Sequence, residues 1–253
     1  MPLNYSLNYS RRLTGRTRTQ PANRQLGCML AFIAGAVNAG GFLAVQHYTS
    51  HMTGIVSAMA DQLALGMYSL VAVGLSALLS FLLGATLSTM MVRHSRQRKL
   101  HSEYALPLLV EAGLLLCFGL LGSQISGFNG FYVSATVMLL SFIMGLQNAV
   151  ITKLSNAEIR TTHITGVITD IGIELGKLLY PNLETGVKAP DPTRLRLLAM
   201  LALCFFIGGV SGALGFKHLG YAATVPLAVT LMALSIIPIA DDLLDYLRQR
   251  GRR

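Results

Sequence analysis

The chain has 253 residues, of which 53% are hydrophobic and only 12% charged, with a formal net charge of +9. Soluble domains carry about 25% charged residues, so this chain lacks the polar surface to stay in water, and its mean hydropathy of +0.55 agrees. The positive charge sits in short blocks between apolar runs, with no basic face interleaved with aromatics. That pattern excludes nucleic acid as a partner and points to the lipid bilayer.

In chain order, residues 1–24 are polar and basic, carrying Arg11, Arg12, Arg16, Arg18 and Arg24, and read as a disordered cytoplasmic tail. Six apolar stretches follow, at about 25–47, 69–92, 105–123, 129–151, 195–216 and 221–240. Each is long enough to cross the hydrocarbon, which takes about 20 residues. Two shorter amphipathic stretches, about 53–66 and 164–180, are too short or too polar for a comfortable crossing. A second basic tail closes the chain at 243–253. Cys28, Cys117 and Cys204 lie in apolar segments at spacings that fit neither zinc nor a disulfide framework, and read as small buried hydrophobes.

The distribution of Lys and Arg selects a topology. If the two short stretches do not cross, the inside segments are 1–24, 93–104, 152–163, 181–194 and 241–253, with Arg196 just beyond. These hold every Lys and Arg of the chain except Lys177 and Lys217. If both crossed, the cluster Arg93, Arg96, Arg98 and Lys99 would face outward. The expectation is therefore an all-α polytopic membrane protein of six transmembrane helices plus two re-entrant half-helices. It sits in a bacterial cytoplasmic (inner) membrane with both termini cytoplasmic. Tyr48, Tyr68, Tyr104, Tyr132, Tyr180 and Tyr221 fall near the ends of these stretches, where amphipathic rings prefer the interface.

Each half-helix begins at one copy of a repeated motif, TSHMTGIVS at 49–57 and TTHITGVIT at 161–169. The likeness extends upstream, where AGAVNAG (34–40) matches MGLQNAV (144–150). It also extends downstream, where SFLLGATLS (80–88) matches CFFIGGVSG (204–212) after the polar insertion PNLETGVKAPDP (181–192). The repeats are 25–127 and 128–242. Three crossings in each would make the second enter from the opposite side. Such inverted repeats with broken helices are an architecture of secondary transporters, with the solute near the midplane where the repeats meet. The plain alternative is a packing device repeated because the fold is repeated.

Thr53 and Thr165 have the chemistry of helix N-caps, with Gly54 and Gly166 following. Free N–H groups at such a helix start would favour an anion or a carboxylate. The alternative is a cap satisfied by neighbouring helices. His51 and His163 could act as a proton-linked switch, although a structural hydrogen bond is the preferred reading for each. Two histidines alone make no metal site. Asp61 lies in the first half-helix and Asp170, Glu174 and Lys177 in the second, stacked on one face. Asp61 and Asp170 are expected to line a cavity, and Glu174 and Lys177 to form a charge pair or a coupling site. Glu111 lies within a spanning stretch and needs a neighbour. Asn38 and Asn148 suggest interhelical hydrogen bonds, and the small-residue pairs around Gly35, Gly84, Gly145 and Gly208 suggest close helix packing. There is no nucleophile elbow, metalloprotease or phosphate-loop motif, so neither an enzyme nor a cofactor is expected.

The stretches VNAGGFLAVQHYTSHMTG and GLQNAVITKLSNAEIRTTHITG resemble the YoaK-like family of bacterial integral membrane proteins of unknown function, over nearly the whole chain after residue 25. Members usually carry Asn after the Thr-Gly pair, where this chain has Ile55 and Val167. The family is often labelled a permease, and the resemblance implies that fold without implying a solute. The functional expectation is a permease or channel for a small solute or ion, anionic at the helix starts, with His51, Thr53, Gly54, His163, Thr165 and Gly166 converging on one central site. Six helices make a thin pore wall, so a homodimer is the matching expectation. The alternative is a non-transport scaffold or sensor with the motifs as structural hinges. A hydrated centre favours the first reading and a dry, packed centre the second.

Overall fold

The computed structural model describes residues 13–15, 19–125, 129–180 and 189–250, with no account of the side chains at 123–133 and 249–250. The helices are α1 (Gln20–Val45), α2 (Met52–Ala64), α3 (Tyr68–Gln97), α4 (Ala105–Ile125), α5 (Asn129–Leu154), α6 (Ile164–Leu179), α7 (Pro192–Leu219) and α8 (Thr224–Arg250), with a 3-10 turn at Gly220–Ala223 between the last two. Among the described residues five continuous helical stretches are long and apolar enough to cross a membrane, the last running through both α7 and α8. Their outer faces expose Leu79, Leu82 and Leu83 on α3 and Leu203, Phe206 and Val210 on α7. Apolar surface so continuous belongs against lipid.

Helix starts follow local chemistry. The Thr19 hydroxyl accepts from the Ala22 N–H (3.4 Å) with Pro21 in the first turn of α1. Asp191 accepts from the N–H groups of Thr193 (2.9 Å) and Arg194 (3.1 Å) ahead of α7, whose first residue is Pro192. Both prolines sit where a helix has no N–H to lose. The α3 and α8 helices continue past the apolar stretches, to Gln97 and Arg250, so the basic segment expected as a tail at 243–253 is helical as far as Arg250.

The long helices pair across the repeats. The α1 helix lies along α7 and α5 lies along α3, so the first helix of each half packs on the helix that follows the short one in the other half. Glycine makes both seams. A β-carbon on Gly35 would overlap the Phe205 carbonyl, and one on Gly208 the Phe32 carbonyl. In the other seam a β-carbon on Gly145 would overlap the Phe81 carbonyl, and one on Gly84 the Phe142 carbonyl. Gly35 and Gly145, Phe32 and Phe142, Gly84 and Gly208, and Phe81 and Phe205 occupy matched positions of the duplicated sequence. The small residues thus mark an internal contact. Positions 172 and 176 on α6 differ, because a side chain there would meet nothing.

The α1 and α5 helices cross between the seams and run antiparallel. Gly27 faces Ile159, just past the end of α5, whereas Gly41 faces Leu140, and Val45 clusters with Val137 nearer the start of α5. The α4 and α8 helices are antiparallel too. Gly119 faces Thr224, while Asp242 accepts from the N–H groups of His101 (2.7 Å) and Ser102 (2.8 Å) ahead of α4. The centre is filled by Leu30, Ile33 and Val37 of α1 and Leu140, Ile143 and Met144 of α5, all buried. Cys28 and Cys204 meet in the α1–α7 seam as free thiols.

Most of the expected tail 1–24 lies outside the described residues, but Leu13 and Thr14 are buried. The Thr14 hydroxyl donates to the Leu234 carbonyl at 2.7 Å. Pro238, inside α8, has no N–H to offer the carbonyl four residues back, which is Leu234. Thr14 therefore donates to a carbonyl that the proline cannot bond.

Two outcomes follow. Gly35→Leu and Gly145→Leu should each abolish the monodisperse peak in size-exclusion chromatography of the detergent-solubilised protein, while Gly172→Ala should retain it. Thr14→Val should lower the unfolding midpoint in a thermal melt, by the ~0.5–1.5 kcal/mol of one lost hydrogen bond.

Candidate functional site

Both H-x-T-G motifs open a short helix, two residues earlier than expected. The N-cap positions belong to His51 and His163 rather than Thr53 and Thr165, and the helices begin at Met52 and Ile164. Thr53 and Thr165 fall in the first turn and are exposed. The two histidines share a backbone conformation, φ −92° and ψ 69° for His51, φ −86° and ψ 59° for His163. The glycines explain the correction. Each imidazole folds back over the first turn, and a β-carbon on Gly54 or Gly166 would overlap it. Neither ring makes a capping hydrogen bond. The helical ladder starts with Ile55 N–H to the His51 carbonyl (3.0 Å) and Val167 N–H to the His163 carbonyl (3.1 Å). Three N–H groups of each helix therefore stand ahead of the ladder, at its positive end.

A second matched contact ties each motif to the helix before it. The Asn38 side-chain oxygen accepts from the Ser50 hydroxyl (2.8 Å) and N–H (3.3 Å), and that of Asn148 from the Thr162 hydroxyl (2.7 Å). The Asn148 amide also donates to the Met144 carbonyl of its own helix at 2.8 Å. The asparagines thus anchor the motif loops, where helix-to-helix bonds were expected. Beside them Thr49 and Thr161 are fully buried, their hydroxyls without a partner among the described residues.

The α2 helix lies on α3 and α6 on α7, and each pair opens a cleft. The first, of about 80 Å³, has Tyr48, Ala58 and Leu70 on its walls. The second, of about 470 Å³, has Arg160, Asp170 and Arg194 at the matched positions. Ile55 and Ala77 keep apolar counterparts in Val167 and Leu201. The first cleft is therefore mostly apolar, with His47 and Gln62 also on its wall, and its equivalent is charged. Arg194 Nη2 lies 3.0 Å from Asp170 Oδ2. Arg160 Nη1 lies 3.4 Å from His163 Nδ1, to which it can donate only while that nitrogen is unprotonated. Glu158 stands on the same wall.

Lys177 Nζ and Glu174 Oε1 form the expected pair at 2.8 Å. Glu174 Oε2 also accepts from the Asp191 N–H at 2.9 Å, so this buried carboxylate fastens α6 to the segment that starts α7. Asp170 lines a cavity as expected. Asp61 lines neither cleft, being exposed on α2, a helix that buries none of its residues. The expectation of one shared centre also needs correction. The first motif follows Val45 at one end of α1, and the second follows Ile159, which meets Gly27 near the other end. Those eighteen residues of helix span ~27 Å. The two clefts have no lining residue in common, and the apolar core fills the space between. In the sequence Arg160 and Arg194 count only toward the basic segments expected on the cytoplasmic side. Their alignment with Tyr48 and Leu70 was the available signal.

Long apolar helices with lipid-facing outer surfaces define a polytopic helical membrane protein. The chain belongs to the DUF1275 family of proteins of unknown function, which it matches over residues 26–237. It is 30% identical over 188 residues to the UPF0700 transmembrane protein YoaK of Bacillus subtilis (strain 168), an alignment covering 74% of this chain and 80% of that protein. No solved structure matches it.

The contact between histidine and glycine is open to a double-mutant cycle. Gly166→Ala should destabilise the parent in a thermal melt and have little effect in a His163→Ala background, a coupling within the ~0.5–3 kcal/mol seen for touching residues.

Proposed function

We propose that the protein is a small-solute permease of the bacterial inner membrane, with both termini cytoplasmic and a carboxylate-bearing solute as its cargo. It has six crossings in two inverted repeats, and α2 and α6 do not cross. Two observations support that topology. Helices of 13 and 16 residues reach only ~20–24 Å, short of a hydrocarbon core of about 30 Å. The antiparallel runs of α1 against α5 and of α4 against α8 also support it, because full crossing by α2 and α6 would make both pairs parallel. In this topology the two motif clefts open on opposite sides of the membrane.

The observation that carries the reading is the charge of the second cleft. Cytoplasmic orientation asks only for basic residues on one side. It does not ask that two arginines and an aspartate replace Tyr48, Leu70 and Ala58 around one cavity at a helix start. Asp170 engages Arg194, and Arg160 has no carboxylate partner among the described residues. The guanidinium of Arg160 and the free N–H groups at the start of α6 suit a carboxylate, and Glu158 on the same wall would receive an amino group. Amino acids therefore head the panel of solutes. The packed centre between the clefts means that solute passes only when the repeats shift against each other.

That same packed centre favours the second reading, a scaffold or sensor without flux. Uptake into proteoliposomes over a panel of amino acids, other anions and cations separates the two. Arg160→Ala and His163→Ala should each reduce uptake of the cognate solute at least ~10-fold, equivalent to ~1.4 kcal/mol, and His51→Ala should reduce it by impairing the opposite cleft. A panel with no flux above empty vesicles, or flux indifferent to all three substitutions, leaves the scaffold.

A further inference from the structure

We infer that Glu111 is a resident proton-binding site within the membrane, its carboxyl group holding a hydrogen that it shares with the side-chain amide of Gln147. The inference is independent of the transport reading. Glu111 lies six residues into α4, ~9 Å from its start, and is wholly buried against Gln147 of α5, itself wholly buried. Gln147 Nε2 donates to Glu111 Oε1 at 2.8 Å. Each partner then has one oxygen left, Glu111 Oε2 and Gln147 Oε1, and both are buried without a partner among the described residues.

Two leftover acceptors on a single pair cannot satisfy each other. One added proton resolves both, because a protonated Oε2 becomes a donor and Gln147 Oε1 can accept from it. The result is a closed acid–amide ring with two hydrogen bonds. The balance is simple: the carboxylate oxygen forms one O–H bond with a proton from hydronium, whose own O–H bond breaks to leave water. A carboxylate with a single hydrogen bond would be costly in this environment. A metal ion would ask for more oxygens than the two at hand.

The charged and titratable groups on the elements packed against α4 are engaged elsewhere or unconnected. On α3 these are Tyr68, Arg93, His94 and Arg96, the last bound to Glu103 at 2.6 Å. On α5 the group is Lys153, at its last turn. On α8 they are Asp241, Asp242, Asp245, Tyr246 and Arg248, with Asp242 bound to His101 and Ser102. The 3-10 turn brings Tyr221, against Gly122. None of them bonds Glu111. Nor is the pair a requirement of the fold, since the position matching Gln147 in the first repeat is Val37. The proton therefore acts as a bridge between α4 of the first repeat and α5 of the second.

Infrared spectroscopy of the full chain in lipid nanodiscs at neutral pH tests the inference, with the parent compared with Glu111→Gln in water and in deuterium oxide. Expected is a protonated-carboxyl C=O band in the parent, shifted by deuterium, absent from the variant and the same in sodium and potassium buffers. Carboxylate bands in its place, or a band that depends on the buffer cation, overturn the inference. Gln147→Leu provides a second reading that keeps the acid. The band should move to the higher frequency of a carboxyl group without a hydrogen-bond partner, and an unmoved band refutes the pairing.

Discussion

Contact between backbones, made where glycine removes the side chain, is the constraint on which this molecule depends. In lipid, helices gain no hydrophobic free energy by associating, because the acyl chains are as apolar as leucine. What remains is close van der Waals approach, and Gly35, Gly84, Gly145 and Gly208 allow it by exposing helix surface to a carbonyl of the partner. The two seams repeat each other residue for residue, and they exchange partners between the halves. That exchange decides which helix ends lie together and sends the motif loops to opposite ends of α1.

Duplicated geometry need not carry duplicated chemistry. The histidine over its glycine, the asparagine holding the loop and the buried threonine hydroxyl occur in both halves. They maintain the shape of a helix start. The walls around that start have diverged, apolar at Tyr48 and Leu70 and charged at Arg160 and Arg194. The conserved frame between the halves is a backbone device, and individuality lies in the few side chains that face each cleft.

What could be read in advance followed from strong physical rules. A crossing needs a long apolar run, so α4 and α7 largely coincide with the stretches at 105–123 and 195–216. The short helices were found because a polar motif interrupted such runs. The N-cap was misjudged because threonine is a good cap by propensity, whereas the decisive fact was the room above Gly54 and Gly166, which is visible only in three dimensions. Asp61 and Asp170 looked alike as lone carboxylates in half-helices. The difference between them is Arg194, which reaches Asp170 from another helix. The separation of the two motifs could not be read because it follows from which helices pair, and spacing along the chain does not carry that information. The lone Glu111 signalled a partner without naming Gln147.

The bond from Thr14 to Leu234 gives this chain an order of assembly. A ribosome releases the segment around residue 14 long before α8 exists, so this bond forms only once α8 is in place. The bond to the Leu234 carbonyl in turn needs the segment around residue 14 to return to α8. Residue 14 and α8 are thus joined late, and a bulky fusion placed immediately ahead of Leu13 would obstruct that contact even though it lies far from either cleft in sequence.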